Sequence, residues 1–357
     1  MIALTYPARS DAQHRFVTRL RDGLVDHDLD SRVLESADAR SLWIGGNGLL
    51  QIEAPADELI DDVVLVDPEA GRIERLLRSG SEHNTLLVTE RCDQLCVMCS
   101  QPPKKNHDDR FALLEEACLL AEPGSLIGIS GGEPTLFKSQ LLAMLETVLS
   151  IRPDLSFHIL SNGQHFTTDD VARLSEGQFA HVAWGIPLYA STATLHDRIV
   201  AKPGAFERLQ DSFDYLLQAA ARIELRTVIL QDNLDQLPDL ARYVSINLPF
   251  IEQWSIMGLE NIGFAKNRWD SLYVDIRQNF EPLDLALDQA QLRGIPVRLF
   301  NTPLCYLPAD FRHYAVASIS DWKRRYAPAC DNCHQKSNCS GFFEWHPEKL
   351  IADVTPL

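Results

Sequence analysis

Seven of the eight cysteines in this chain fall into two groups, and they are its most chemically committed residues. Cys92-Asp93-Gln94-Leu95-Cys96-Val97-Met98-Cys99 places three thiols at spacings of four and three residues, directly after the apolar run Thr85-Leu86-Leu87-Val88-Thr89. Thiolate is a soft ligand that suits iron–sulfur clusters and zinc. A four-iron cluster normally takes four cysteine ligands. Three clustered cysteines with no fourth nearby therefore suggest a cluster with one iron left open, much as an open position marks a catalytic zinc site. Two other readings fit the spacing: a helical stripe of cysteines buried as small hydrophobes, and a zinc site completed by His107. The second group, Cys305, Cys330, Cys333 and Cys339, supplies four thiolates and so a closed site. Its occupant would be an auxiliary four-iron cluster or structural zinc, with His334 as an alternative zinc ligand; the first group tilts the choice toward a second cluster. Cys118 shares a helical face with Leu114 and is expected in the core. With no signal peptide pattern, such clustering points to metal rather than disulfides.

Two polar motifs follow. Ser130-Gly131-Gly132-Glu133-Pro134 ends an apolar run with two glycines that allow close backbone approach to a ligand. Backbone carbonyls with the Glu133 carboxylate suit an ammonium group, and Pro134 opens the next helix. Ser161 and Asn162 carry a hydroxyl and an amide able to hold a ribose, although Ser-Asn-Gly is also a plain loop signal.

These motifs need a frame. Short apolar runs at 85–89, 126–130, 156–160, 181–188, 223–230, 251–257 and 296–300 read as strands. Amphipathic stretches alternate with them: Leu141, Leu142, Leu145, Val148 and Leu149 share one face, as do Phe206, Leu209, Phe213, Leu216 and Leu217. Pro282 and Gly294 bracket another helix. The alternation predicts an α/β fold, a full or partial (β/α) barrel over residues 83–300, with chemistry at the C-terminal ends of its strands. Residues 1–82 read as a small N-terminal α+β unit of unknown role, with Phe16, Leu20 and Leu24 at helical spacing and a hairpin from 63–66 to 73–77. Residues 301–357 form a cysteine-rich extension. In it, Trp322 and Trp345 are expected to shield a metal site. Glu260 is expected as an exposed loop carboxylate. The 357 residues are 45% hydrophobic with a formal net charge of −17. That charge argues against binding a nucleic acid backbone. No apolar run approaches the ~20 residues of a membrane span, so a cytoplasmic protein with no membrane partner is expected.

Cys-x3-Cys-x2-Cys followed by Gly-Gly-Glu-Pro on the next strand resembles the radical S-adenosylmethionine (SAM) superfamily over residues 84–257. The resemblance implies that SAM chelates the open iron through its amino and carboxylate groups. It also implies that Gly131, Gly132, Glu133 and Pro134 hold the methionine ammonium. Met98 takes the place of an often aromatic residue beside the adenine. An arginine that commonly meets the SAM carboxylate is replaced by Val200, with Arg198 or Arg226 as substitutes. Activity would consist of reductive SAM cleavage, using one electron from a donor, to a 5′-deoxyadenosyl radical that modifies a peptide or protein; a small-molecule substrate is the enzymatic alternative and a zinc-bound adaptor the non-enzymatic one. The segments Asn301–Cys305, Ser318–Lys323 and Cys339–Phe343 further resemble C-type maturases of the His-Xaa-Ser system. That likeness implies a substrate with His-Xaa-Ser repeats and a second radical SAM maturase as partner.

Overall fold

The computed structural model describes residues 2–357. Seven strands, β1 (Thr5–Ser10), β2 (Phe16–Arg21), β3 (Asp30–Ala37), β4 (Arg40–Gly45), β5 (Gly48–Ile52), β6 (Val63–Asp67) and β7 (Arg72–Leu77), close into a barrel in the order β1-β5-β4-β3-β2-β6-β7. Pairing of β7 with β1 closes the ring, so no strand edge is left over. Its interior packs Phe16, Leu20, Trp43, Leu50, Ile52, Val64, Val66 and Ile73. The N-terminal piece is thus all-β apart from one 3-10 turn at Ala56–Glu58, which corrects the helical reading of Phe16, Leu20 and Leu24. Phe16, Thr18 and Leu20 alternate inward along β2, β-branched Val17 and Thr18 favour the extended chain, and Leu24 is 86% exposed beyond the strand's end. The expected hairpin is β6–β7, turning at Gly71 with φ +65°.

A second sheet carries β8 (Thr85–Thr89), β9 (Leu126–Gly131), β10 (Ser156–Leu160), β11 (Val182–Pro187), β12 (Arg222–Val228), β13 (Gln253–Met257) and β14 (Val297–Phe300), hydrogen-bonded in sequence order. The β8–β9 pair and the pairs from β11 to β14 run parallel. Helices fill the connections for the reasons their patterns give. Helix Lys138–Ile151 buries Leu141, Leu142, Met144, Leu145, Val148 and Leu149. Helix Ala205–Gln218 buries Leu209, Phe213 and Leu216, whereas Leu217, expected on the same face, is 47% exposed. Helix Glu281–Leu292 carries Pro282 in its first turn and is followed by left-handed Gly294. Each fully buried large apolar side chain is worth about 1.5–3 kcal/mol. This is the partial (β/α) barrel fold.

The chain divides into two compact units. One runs to Thr89 and resumes over Asp108–His158; it contains the seven-stranded closed barrel, β8, β9 and the start of β10. The other comprises Glu90–His107 and Ile159–Leu357, and holds both cysteine groups. Its tail is built of short 3-10 turns, a two-residue ladder between Arg324–Arg325 and Phe342–Phe343, and a helix at Glu348–Ala352. Among the described residues, no helix is long and apolar enough to cross a membrane.

Candidate metal centres

Residues 92–99 form an irregular loop rather than a helix, so the thiols are not a helical stripe. Backbone hydrogen bonds hold it in place. Leu95 N donates to Val200 O (3.2 Å) and Val97 N to Ile199 O (2.9 Å), occupying carbonyls that the end of helix Ala193–Val200 leaves without intrahelical partners. Cys99 N donates to Cys96 O (3.0 Å), Phe264 N to Cys99 O (2.8 Å), and Arg268 Nη1 to Val97 O (2.9 Å). Gly263, at φ +59°, passes so close that a Cβ there would lie 2.3 Å from Cys99 O.

The thiols influence one another. Burial pushes Cys96 up to about 12, with Cys99 and Cys92 adding to the rise, and burial also raises Cys99. Buried neighbouring sulfurs such as Cys96 and Cys99 become thiolates together only if positive charge is brought among them, and metal supplies it. Gln94 is 3% exposed; its Oε1 lies 3.5 Å from Cys96 Sγ and its Nε2 has no partner. A buried amide nitrogen and three coupled thiols are a donor set that fits an iron–sulfur group.

Charged residues not singled out by sequence brace this loop. Asp93 pairs with Lys202, accepts from Asn162 Nδ2 at 2.8 Å, and lies 3.2 Å from His165 Nε2. Burial alone would raise the Asp93 carboxyl, but hydrogen bonds from His165, Lys202 and Asn162 outweigh it and hold the group well below the usual carboxylate range. The same Asn162 amide reaches Cys92 Sγ at 4.0 Å, and Asn162 Oδ1 accepts from Gln164 N at 3.0 Å. Ser161 Oγ accepts from Gly163 N at 3.1 Å. Met98 is buried with Ile199, Leu230, Leu259 and Trp269.

Tyr189, just past β11, carries no signal in the sequence. Burial raises its phenol most, followed by Cys96, with Arg226 opposing, so it shares the electrostatic surroundings of the triplet. Arg226 projects from β12 on the same face as Glu224, two residues earlier, whose carboxylate it grips at 2.9 and 3.1 Å; its Nη2 meets Met257 Sδ at 3.4 Å. Arg198 is instead a surface residue, 61% exposed and 3.3 Å from Asp232, and Val200 is fully buried. Behind Tyr189, the ring of His196 stacks at 5.8 Å and its Nδ1 accepts from Tyr189 N at 3.4 Å. Burial lowers His196 to about 4, so it is neutral in the folded protein. An unfolded histidine protonates near 6.5. The unfolded chain therefore binds the extra proton first, and the contribution of neutral His196 is present above 6.5 and lost as pH falls toward 4. His196→Phe is expected to flatten this part of the stability profile, measured by denaturant unfolding at pH 7.5 and 5.

In the other unit, Gly131 (φ +155°) runs so close to β8 that a Cβ would lie 2.3 Å from Thr89 O, and Gly132 N donates to that oxygen at 2.8 Å. Glu133 is fully buried; its carboxylate caps the turn Pro134–Phe137 by accepting from Thr135 N at 2.8 Å.

Cys305, Cys330, Cys333 and Cys339 line one cleft together with Tyr326 and Phe342. Burial pushes Cys305 up to about 11, with Cys339, Cys330 and Cys333 adding to it. Leu304 N and Gly341 N each lie 3.4 Å from Cys339 Sγ, donors suited to a thiolate. His334 is outside this lining and exposed. Trp322 and Trp345 are also outside it: they pack near each other, with Lys323 over the rings of Trp322 and Phe343. Glu260 departs from the expected exposed state. Its side chain is 19% exposed, 3.6 Å from Lys323 Nζ, and burial raises its carboxyl. Cys118 is fully buried on helix Phe111–Leu119, as expected.

Residues 86–244 match the family model of the Radical SAM superfamily. Over those residues the chain is similar to radical SAM domains. A curated protein, the AdoMet-dependent heme synthase of Oleidesulfovibrio alaskensis, is 26% identical over 183 residues, covering 48% of this chain and 45% of that protein. The match therefore spans less than half of that relative. Among solved structures, SuiB of Streptococcus suis bound to S-adenosylmethionine is 14% identical with a TM-score of 0.48, covering 60% of this chain and 49% of SuiB. A radical SAM methyltransferase from Sphaerobacter thermophilus is 14% identical with a TM-score of 0.46, covering 75% and 76% of the two chains.

Proposed function

We propose that the protein is a radical SAM enzyme that modifies a peptide or protein substrate. The observation that carries the enzymatic reading is the triplet itself: three coupled thiols on one braced loop within a radical SAM domain. Cys92, Cys96 and Cys99 would hold a four-iron cluster, which when bound with SAM supplies reductive cleavage to a 5′-deoxyadenosyl radical. The chain's own work is positioning. Asp93 and Lys202 fix the loop beside Cys92. Glu224 orients the Arg226 guanidinium, a candidate partner for the SAM carboxylate. Partly buried Tyr189 and buried Met98 restrict water around the triplet. Gly131, Gly132, Glu133 and Pro134 are proposed to hold the SAM ammonium, and Ser161 and Asn162 to lie by the ribose. Cys305, Cys330, Cys333 and Cys339 would hold the auxiliary cluster.

The peptide reading rests on the likeness of Asn301–Cys305, Ser318–Lys323 and Cys339–Phe343 to C-type maturases of the His-Xaa-Ser system, and it brings a repeat-bearing substrate and a second maturase as proposed partners. Anaerobic purification should yield a brown protein with about eight irons per chain if both sites hold four-iron clusters. With a reductant it should convert SAM to 5′-deoxyadenosine. Co-expression with a His-Xaa-Ser repeat peptide should change that peptide's mass. A colourless protein containing zinc and no sulfide would overturn the enzymatic reading. Turnover of SAM with no mass change on the peptide would move the substrate to a small molecule.

A further inference from the structure

We propose that Gln94 donates an N–H···S hydrogen bond to the Cys96 sulfur and thereby sets the reduction potential of the cluster at Cys92, Cys96 and Cys99. This rests on the reading that the triplet holds such a cluster. Three observations meet at this residue. Gln94 is 3% exposed, so its amide cannot turn to water. Its carbonyl oxygen lies 3.5 Å from Cys96 Sγ, where it accepts from the thiol. Its Nε2 is buried with no partner.

Ligation changes what the sulfur can do. A cysteine bound to iron is a thiolate, which has no proton to give and only accepts. The Gln94 carbonyl would then face a negative sulfur. A half-turn of the amide exchanges its two ends and points N–H at Cys96 Sγ over the same distance. It also gives the stranded nitrogen a partner, and buried donors without one are costly. Hydrogen bonds to cluster sulfurs stabilise the more negative, reduced state, and so raise the potential. A side chain without a donor should lower it.

The test uses full-length, anaerobically reconstituted wild type, Gln94→Leu and Gln94→Met, the last keeping an unbranched shape. Iron and sulfide are counted first. The midpoint potential is then read for the electron paramagnetic resonance signal that responds to SAM, with electron–nuclear double resonance for exchangeable protons coupled to it. Both variants are expected to titrate at a more negative potential and to lose one exchangeable proton coupling. Loaded clusters with unchanged midpoint and unchanged couplings in both variants overturn the proposal. A wild type without a SAM-responsive cluster overturns the reading beneath it instead.

Discussion

Replacing Cys92, Cys96 and Cys99 together with alanine is expected to abolish 5′-deoxyadenosine formation, because the protein's residues position the chemistry and the cofactor performs it. The loss should be complete rather than graded. The second thiol group should be spared: its cleft is lined by Cys305, Cys330, Cys333 and Cys339 and by none of the triplet. If both sites hold four-iron clusters, iron should therefore fall from about eight to about four per chain, with the brown colour reduced and not lost. Folding should survive as well, since the loop's backbone is tied to Val200, Ile199 and Phe264 by hydrogen bonds that alanine retains. Anaerobic iron and sulfide analysis, with chromatographic detection of 5′-deoxyadenosine, reads all of this. Persistence of that product in the triple variant would end the assignment. Loss of all iron would show that the two groups do not load independently.

The strands of the parallel sheet were legible because each is a short apolar run bounded by turn or helix signals; 85–89 and 156–160 coincide with β8 and β10. The N-terminal barrel was harder. Phe16, Leu20 and Leu24 satisfy a helical period, but of the three only Phe16 and Leu20 lie in β2 and are buried, and alternation through Thr18 decides the matter. β1 gave no apolar pattern at all: Thr5–Ser10 contains Pro7 and has one buried residue, Ala8. Site residues followed the same division. The cysteines announce themselves by type and spacing. Asp93, Lys202, Tyr189 and Gln94 do not, because their roles come from tertiary neighbours: Lys202, one partner of Asp93, is 109 residues away. Glu260 read as a loop carboxylate for the same reason, its Lys323 lying in the cysteine-rich tail.

Gly263 shows how far such long-range packing reaches, and two glycine substitutions separate its parts. Gly294 and Gly263 both adopt left-handed conformations, at φ +70° and +59°. Nothing lies within 4 Å of a Cβ built on Gly294. Gly294→Ala should therefore cost only the left-handed conformation, roughly 1–2 kcal/mol. Gly263→Ala carries the same cost and adds a collision, because its Cβ would stand 2.3 Å from Cys99 O and 2.5 Å from Ser100 O. Neither neighbour is a flexible side chain that could swing aside. Relief requires the backbone after Cys99 to move, and the hydrogen bond from Phe264 N to Cys99 O to break, which removes a further ~1 kcal/mol. Since Cys99 is proposed to hold iron, the displacement should also be felt as lost metal. The expected result is a destabilisation in Gly263→Ala exceeding that of Gly294→Ala by at least about 1 kcal/mol in denaturant unfolding. Iron at the triplet should drop in Gly263→Ala alone. Equal destabilisation with full iron in both would mean that the loop yields easily at Cys99, and that the close approach of Gly263 does not fix the thiol's position.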